Sequence, residues 1–378
     1  MRVLQLGKFY PIRGGVEKVM RDLTEGLANN GVECDMLCAS FGRGGPRSFV
    51  IAQDDKKGTQ DDKKGRVIVC PTWFTASGTM IAPGMISYLR RHAREYDIIH
   101  IHHPDPMAGL ALRLSGFKGR IILHWHSDIL KPKIFLTPYL PIQRWLIRRA
   151  ERIVGTTPTY VKESPWLSDV QEKVTYVPIG IEPVIPVPDK VKSIQETYGD
   201  KKIVFSLGRL VTYKGYTYLI EAAEYLPEDY VVLIGGTGPL RANLENQIME
   251  SGLGQKVKLL GRVEDDDLPS LYGASSVFVL SSVVKAEAFG IVQIEAMSAG
   301  VPVIATKIPE SGTSWVNEDG VSGINVEPRD SEGLAKAIIS ICSDNLTRHT
   351  YGKNALARYE RLFRLDIMTN KIKQLYES

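Results

Sequence analysis

The 378 residues carry 47 lysines and arginines against 43 aspartates and glutamates, and 43% of the chain is hydrophobic. That is the balance of a globular protein of two ordinary domains. A net charge of +4 is too small to imply a nucleic-acid partner, and no apolar run approaches the roughly 20 residues of a membrane span. Four cysteines without paired spacing fit reduced thiols in a cytosolic protein rather than a zinc site, and no secretory signal is visible.

Short β-branched runs alternate with amphipathic stretches, the pattern of doubly wound parallel sheets. Strands are predicted at Val3–Leu6, Cys34–Ala39, Arg66–Cys70, Asp97–His102, Arg120–Trp125, Arg152–Gly155 and Val174–Val177, with helices such as Val16–Asn29 and Pro106–Ser115 between them. Asp54-Asp-Lys-Lys-Gly recurs as Asp61-Asp-Lys-Lys-Gly without an apolar anchor and reads as a solvated hairpin or loop. Lys131 to Arg149 mixes cations with aromatics and leucines. From Pro141 onward it forms a basic amphipathic helix, which either lies on an anionic membrane or packs on the sheet. The proline-rich stretch from Ile179 to Pro188 suits neither helix nor central strand and is placed as the interdomain linker. Strands resume at Ile203–Leu207, Tyr230–Ile234, Val257–Leu260, Val277–Leu280 and Val301–Ala305. Helices are predicted over Thr217–Tyr225, Leu240–Ser251, Phe289–Ala299 and Ser331–Ser343, with terminal helices after Leu346.

Four segments carry chemistry. Glu287-Ala-Phe-Gly-Ile-Val-Gln-Ile-Glu295 follows a buried strand, so Glu287 sits at a strand's carboxyl end, where open α/β sheets bind ligands. Phe289-Gly290 opens the next helix and leaves backbone N–H groups for an anion, and Glu295 lies about 80° from Glu287 around an ideal helix. The pair either addresses two parts of one ligand or is a loop acid plus a helix-surface acid. Arg209 and Lys214 follow another strand through a glycine turn; they suit a diphosphate, or are isolated surface cations. Gly14-Gly15 and Gly235-Gly236-Thr-Gly238 are strand-to-helix turns that let backbone amides approach a phosphate, yet neither is a P-loop or a full dinucleotide fingerprint. His100, His102, His103 with Asp105, and His124, His126 with Asp128, cluster at two strand ends without the spacing of a zinc site. Strand alternation points His124 and His126 to one side.

Taken together these segments resemble the family 4 retaining glycosyltransferases of the GT-B fold, through nearly the whole chain. The most specific pieces are Glu287-x7-Glu295 with its Ala-x-Ala-Gly-x-Pro-Val continuation and Gly208-Arg209-x4-Lys214; Glu310-Ser-Gly-Thr departs from a more glycine-rich turn. The resemblance implies two Rossmann-like, doubly wound α/β domains facing across a cleft. The N-terminal acceptor domain is 1–182, the donor domain 183–360, and 361–378 a C-terminal helix returning to the first. It implies that Arg209 and Lys214 bind the donor diphosphate, that Glu287 with Ala288, Phe289, Gly290 and Ile291 holds the transferred sugar, and that Glu295 holds the ribose. Gly14, Gly15, Gly236 and Val263 complete the donor site, His126 contacts the reacting sugar, and His102, His103 and Asp128 face the acceptor. The implied chemistry needs no metal and no cofactor beyond a nucleotide sugar, with GDP-mannose the preferred donor. The implied acceptor is a lipid-linked saccharide of bacterial O-antigen or surface polysaccharide, met in the cytoplasm on the inner face of the inner membrane. A same-fold enzyme with a UDP-sugar or a soluble acceptor, and a dinucleotide-dependent oxidoreductase, are the alternatives.

Overall fold

The computed structural model describes residues 1–12, 14–41, 50–52, 65–76, 78–129 and 137–378; the repeated Asp-Asp-Lys-Lys-Gly segments, save the final Gly65, and residues 130–136 lie outside the described residues. The chain divides into two units, Met1–Gly180 with Leu365–Ser378, and Ile181–Arg364.

In the first unit the strands are β1 (Arg2–Tyr10), β2 (Glu33–Ser40), β3 (Val50–Ala52), β4 (Val67–Cys70), β5 (Phe74–Ala76), β6 (Thr79–Ile81), β7 (Ile98–His103), β8 (Arg120–Trp125), β9 (Arg152–Gly155) and β10 (Val174–Tyr176). Eight of them form one sheet in the order β10-β9-β8-β7-β1-β2-β4-β3, parallel except for the β3–β4 pair, while β5 and β6 make a separate hairpin. The chain winds outward from β1 to one side, then returns to β7 and winds to the other. The direction of winding therefore reverses between β1 and β7. Strand β7 is buried along its whole length and β1 from Val3 to Gly7, so the polar residues they carry there, Gln5, His100, His102 and His103, lie inside the domain.

Strand β1 runs four residues beyond its predicted end. Its register with β2 shifts between Leu6 and Phe9, where Gly7 (φ 131°) and Lys8 (φ 62°) occupy left-handed backbone. Such an irregularity re-aims side chains at a strand's end. The C-terminal helix Leu365–Glu377 packs on the helix Gly15–Asn29 and buries Met368, Ile372 and Tyr376. Gly26 makes room for it: a Cβ there would lie 2.6 Å from Thr369 Oγ1.

The second unit holds β11 (Lys202–Leu207), β12 (Tyr230–Gly235), β13 (Val257–Gly261), β14 (Val277–Leu280), β15 (Val303–Thr306) and β16 (Gly323–Val326). All are parallel, in the order β13-β12-β11-β14-β15-β16, so winding reverses between β11 and β14. Both units are Rossmann-like. Elements that were not expected include the short helices Leu268–Ala274 and Thr313–Val316, strand β16 and the helix Pro188–Tyr198. Strand β16 is only four residues long, and the helix Pro188–Tyr198 begins at the last proline of the expected linker. Proline at a helix's first turn costs no hydrogen bond, and this helix buries none of its residues, so no apolar stripe marks it.

The amino edge of the first sheet is clamped by Asp35. It accepts hydrogen bonds from Arg66 Nη2 (2.7 Å), Tyr96 Oη (2.9 Å) and Arg2 Nη2 (3.2 Å). Burial alone would push this carboxyl up, but the bonds from Arg66 and Tyr96 together hold it below its ordinary value. A depressed carboxyl contributes stability above the unfolded value near 3.9 and loses it as pH falls through the folded value. Urea denaturation from pH 6 down to pH 3 is therefore expected to show a loss of stability in the acid limb, which Asp35→Asn flattens while lowering stability at pH 6.

Candidate active site

The reversal of winding in the second unit brings two loops together. One follows β11 and carries Arg209 and Lys214; the other follows β14 and carries Glu287. Adjacent loops diverge at such a point and leave a crevice at the carboxyl edge. Here they are also tied: Ser281 Oγ donates to the Lys214 carbonyl (2.9 Å) and Val283 N to the Tyr213 carbonyl (2.8 Å). Gly215 must be glycine at this crossing, with φ +67° and a Cβ position 2.1 Å from the Ser281 carbonyl oxygen. Across the two loops Lys214 Nζ meets Glu287 Oε2 at 2.5 Å, with side-chain exposures of 11% and 12%. Burial alone would lower the Lys214 ammonium; the Glu287 carboxylate, together with Tyr216 and Tyr213, more than reverses this and holds it charged. Ser282 Oγ donates to the same Glu287 oxygen (2.9 Å), and Ser311 Oγ to the Glu287 carbonyl (2.5 Å). Arg209 is exposed and has no ion-pair partner among the described residues, so its charge is the one left open for an anion.

The strand ends beside this pair meet through glycine. A Cβ on Gly236 would lie 1.9 Å from the Gly208 carbonyl oxygen, and Gly236 N donates to the Gly261 carbonyl at 2.6 Å. The turns after β11, β12 and β13 are thus in backbone contact, with half-buried Val263 packed on Gly235. The helix after Glu287 runs Ile291–Ser298, capped by Gly290 at φ 76° without a side-chain cap. Its first amides are open, while Ala288 and Phe289 are buried. The expected 80° between Glu287 and Glu295 does not apply, because Glu287 lies on the loop before the helix. Glu295 accepts from Tyr272 Oη at 2.8 Å.

In the first unit the reversal point lies between the ends of β1 and β7. Lys8 donates from its backbone N to Asp105 Oδ2 (2.5 Å) and from Nζ to the Pro104 carbonyl (2.7 Å). These residues line a cavity of about 320 Å³ with Glu17, Phe9, Met80 and Tyr139. Burial pushes the Asp105 and Glu17 carboxyls up, against the pull of Lys8. Glu17 folds back over Gly14, where its Oε2 is 2.5 Å from the place a Cβ would take; exposed Gly15 follows. Lys8 and Glu17 were not among the expected site residues. The signal for Lys8 was present as Gly7-Lys8, a glycine and a cation just past the predicted end of the first strand.

Beside this cavity five histidines are buried in the sheet. His100, His102, His124 and His126 form one array, with His124 and His126 rings 4.1 Å apart and 7° from parallel, on one side as alternation requires. His102 joins His126 Nε2 through Nδ1 (2.8 Å) and Gln5 Oε1 through Nε2 (2.8 Å). His103 lies flat on Trp125 at 3.8 Å, and Asp128 Oδ1 accepts from Trp125 Nε1 (2.9 Å) and Ser164 Oγ (2.8 Å). His103 and Asp128 are thus packed into the domain. Among the described residues, His100, His102 and His124 are the one group close enough to share an ion, with ligand atoms within 4.8 Å. His102 has both nitrogens in hydrogen bonds, so a metal there would have to break one.

Residues 13–184 match the family described as Glycosyltransferase Family 4, and residues 189–358 match Glycosyl transferases group 1. Over 382 aligned residues, 100% of this chain and 98% of the relative, the chain is 31% identical to O-antigen chain mannosyltransferase C of Escherichia coli. The chain belongs to the group 1, family 4 glycosyltransferases. The transferase is also 29% identical to the D-rhamnosyltransferase WbpZ of Pseudomonas aeruginosa, covering 96% of this chain and 92% of that one. Among solved structures it is similar to Anabaena Alr3699/HepE in complex with UDP (TM-score 0.79, 23% identity, both chains covered in full). Sucrose-phosphate synthase from Thermosynechococcus elongatus is similar too (TM-score 0.80, 23% identity, 100% and 98% covered). At these identities the likeness carries the GT-B fold.

The buried pair gives a direct test of the transferase's electrostatics. Removing either partner leaves a desolvated charge, at a cost of about 3 kcal/mol or more. Lys214→Ala and Glu287→Ala are each expected to lower stability by that order in chemical denaturation. The double variant should lose clearly less than the sum, with a coupling above ~1 kcal/mol.

Proposed function

We propose that this transferase moves mannose from GDP-mannose, with retention of configuration, to a lipid-linked saccharide in bacterial O-antigen or surface-polysaccharide assembly. The observation that carries the reading is the ion pair of Lys214 and Glu287 across the two loops of the β11/β14 reversal, with exposed Arg209 on the first of those loops. Their charges balance differently: Lys214 is neutralised by Glu287, and Arg209 is open. A donor diphosphate met by Arg209 would take the bidentate hydrogen bonds that a guanidinium makes, with Lys214 shared between phosphate and Glu287. The open amides of Ile291 and Val292 add partial positive charge at the same edge. Together these supply the stabilisation of leaving charge that a divalent cation supplies elsewhere, so no metal is required in this scheme. In this scheme the Glu287 carboxylate also accepts from sugar hydroxyls, and Glu295 accepts from the ribose hydroxyls. With no carboxylate nucleophile assigned, the leaving phosphate takes the acceptor proton on the same face. The cavity of Lys8, Glu17 and Asp105 offers the acceptor a saccharide-sized space. The mannose assignment is supported by the full-length likeness to the Escherichia coli mannosyltransferase.

Peripheral contact with the cytoplasmic face of the inner membrane belongs to this reading. Among the described residues no helix is long and apolar enough to cross a membrane. The helix Leu140–Arg149 spends its apolar face on the domain, with Leu146 and Ile147 buried. The β5–β6 hairpin is the better membrane contact, since Trp73 is 67% and Phe74 44% exposed; aromatic side chains of this kind favour the headgroup region.

Thermal shift against UDP-, GDP-, ADP- and dTDP-sugars tests the donor. GDP-mannose at 100 times its Kd should add ~2.7 kcal/mol, equally with magnesium or EDTA. Arg209→Ala should weaken binding about tenfold or more. Stabilisation by a UDP-sugar instead would overturn the sugar assignment, transfer to a free sugar phosphate the acceptor assignment, and a shift with NAD(P) alone the whole reading. For the membrane, sedimentation with phosphatidylglycerol vesicles should capture the protein, and Trp73→Ser with Phe74→Ser should reduce capture several-fold while the melting temperature stays within a few degrees.

A further inference from the structure

We propose that Gln5, His102 and Tyr376 form a hydrogen-bonded relay that fixes His126 as the Nε2–H tautomer, with Nδ1 held open as an acceptor for a sugar hydroxyl. The proposal rests on the transferase reading only for what occupies Nδ1. The four side chains come from β1, β7, the end of β8 and the C-terminal helix, and none is more than 4% exposed.

The donors can be counted along the chain. Gln5 Nε2 donates to Tyr376 Oη at 3.0 Å, so the single hydroxyl proton of Tyr376 goes to its other partner, His100 Nδ1, at 2.5 Å. Gln5 then presents Oε1 to His102, and at 2.8 Å His102 Nε2 must carry a proton. A neutral imidazole carries one proton, so His102 Nδ1 is a lone pair. Its partner at 2.8 Å, His126 Nε2, is therefore the donor. The remaining nitrogen, His126 Nδ1, is a lone pair, buried, and without a hydrogen-bond partner among the described residues. An unpaired buried acceptor is costly, which is the reason to expect a donor from a ligand. The relay needs neutral rings, since a second proton on His102 would set two N–H groups against each other. Burial pushes both His102 and His126 well below the ordinary histidine range, and the neighbouring histidines and Lys8 add to it. Gln5, His102 and Tyr376 are positioning residues in this scheme; they act on the sugar through His126. Tyr376 lies 371 positions from Gln5 in the sequence, so no local pattern connects the two.

The test is long-range 1H–15N correlation of the full chain labelled with 15N-histidine, His126 being assigned with His126→Gln. Ligand-free protein should show a proton-bearing Nε2 and a pyridine-type Nδ1. Reversing the Gln5 amide reverses every donor, so a protonated Nδ1 in the wild type overturns the proposal. Tyr376→Phe and Gln5→Met should each give a mixture of His126 tautomers; an unchanged His126 spectrum in both overturns it as well. The second reading is kinetic. With the donor found by thermal shift, one monodeoxy donor analogue should be discriminated against by roughly tenfold in kcat/KM, the scale of a hydrogen bond to a buried acceptor. Both variants should lose that discrimination, whereas a merely structural defect would slow donor and analogue alike and overturns the relay. If no nucleotide sugar is turned over, the functional reading fails, and the spectrum of the ligand-free protein still decides the tautomer.

Discussion

The reversal of winding direction in a parallel sheet is the constraint on which this molecule's chemistry depends. Parallel strands place all their following loops at one edge, and only where the winding reverses do two neighbouring loops run apart and leave a crevice. Each unit has one such place, between β1 and β7 and between β11 and β14. Lys8, Gly14, Glu17 and Asp105 gather at the first; Arg209, Lys214 and Glu287 gather at the second. The opposite edge does different work. Asp35, Arg66, Tyr96 and Arg2 form a network there that holds strands together.

At the second crevice the important feature is compensation of charge. A lysine and a glutamate that are each nine-tenths buried cannot stand alone, and each makes the other tolerable. The pair is pinned by three serine hydroxyls, from Ser281, Ser282 and Ser311. The Glu310-Ser311-Gly312 turn, which departs from the family's glycine-rich form, supplies one of them, and Gly312 N binds the Ala288 carbonyl as well at 3.0 Å. With Lys214 answered inside the protein, Arg209 is exposed and has no ion-pair partner among the described residues.

The first unit shows how far a site can depend on residues remote from it in sequence. The C-terminal helix lies against the helix Gly15–Asn29 and sends Tyr376 into the histidine array, while Arg120 Nη1 grips its backbone carbonyl at 2.5 Å. Five imidazoles in one sheet would be an electrostatic liability if charged; burial keeps His100, His103 and His124 far below their ordinary range as well. Neutral rings can donate and accept in series, and that is what the Gln5–His102–His126 run does.

Much of this was legible in the sequence because it depends on local periodicity. Buried parallel strands are β-branched runs, so Arg120–Trp125, Arg152–Gly155 and Val277–Leu280 were recognisable to the residue, and glycine turns marked the strand ends where ligands bind. Elements without a buried stripe were not legible: the helix Pro188–Tyr198 buries nothing, and the β5–β6 hairpin shows no alternation because it faces no core. The angle between Glu287 and Glu295 failed because a helix wheel assumes one helix, whereas the chain starts that helix only at Ile291. The sequence by itself determined the two doubly wound sheets, the residue types at their carboxyl edges and the family, since these follow from patterns a few residues apart. Only the tertiary structure decided that Lys214 is spent on Glu287, that Asp128 is spent on Trp125 and Ser164, and that Tyr376 sits at Gln5. Each of those depends on strand order and loop crossing, which bring together side chains that no short-range pattern connects.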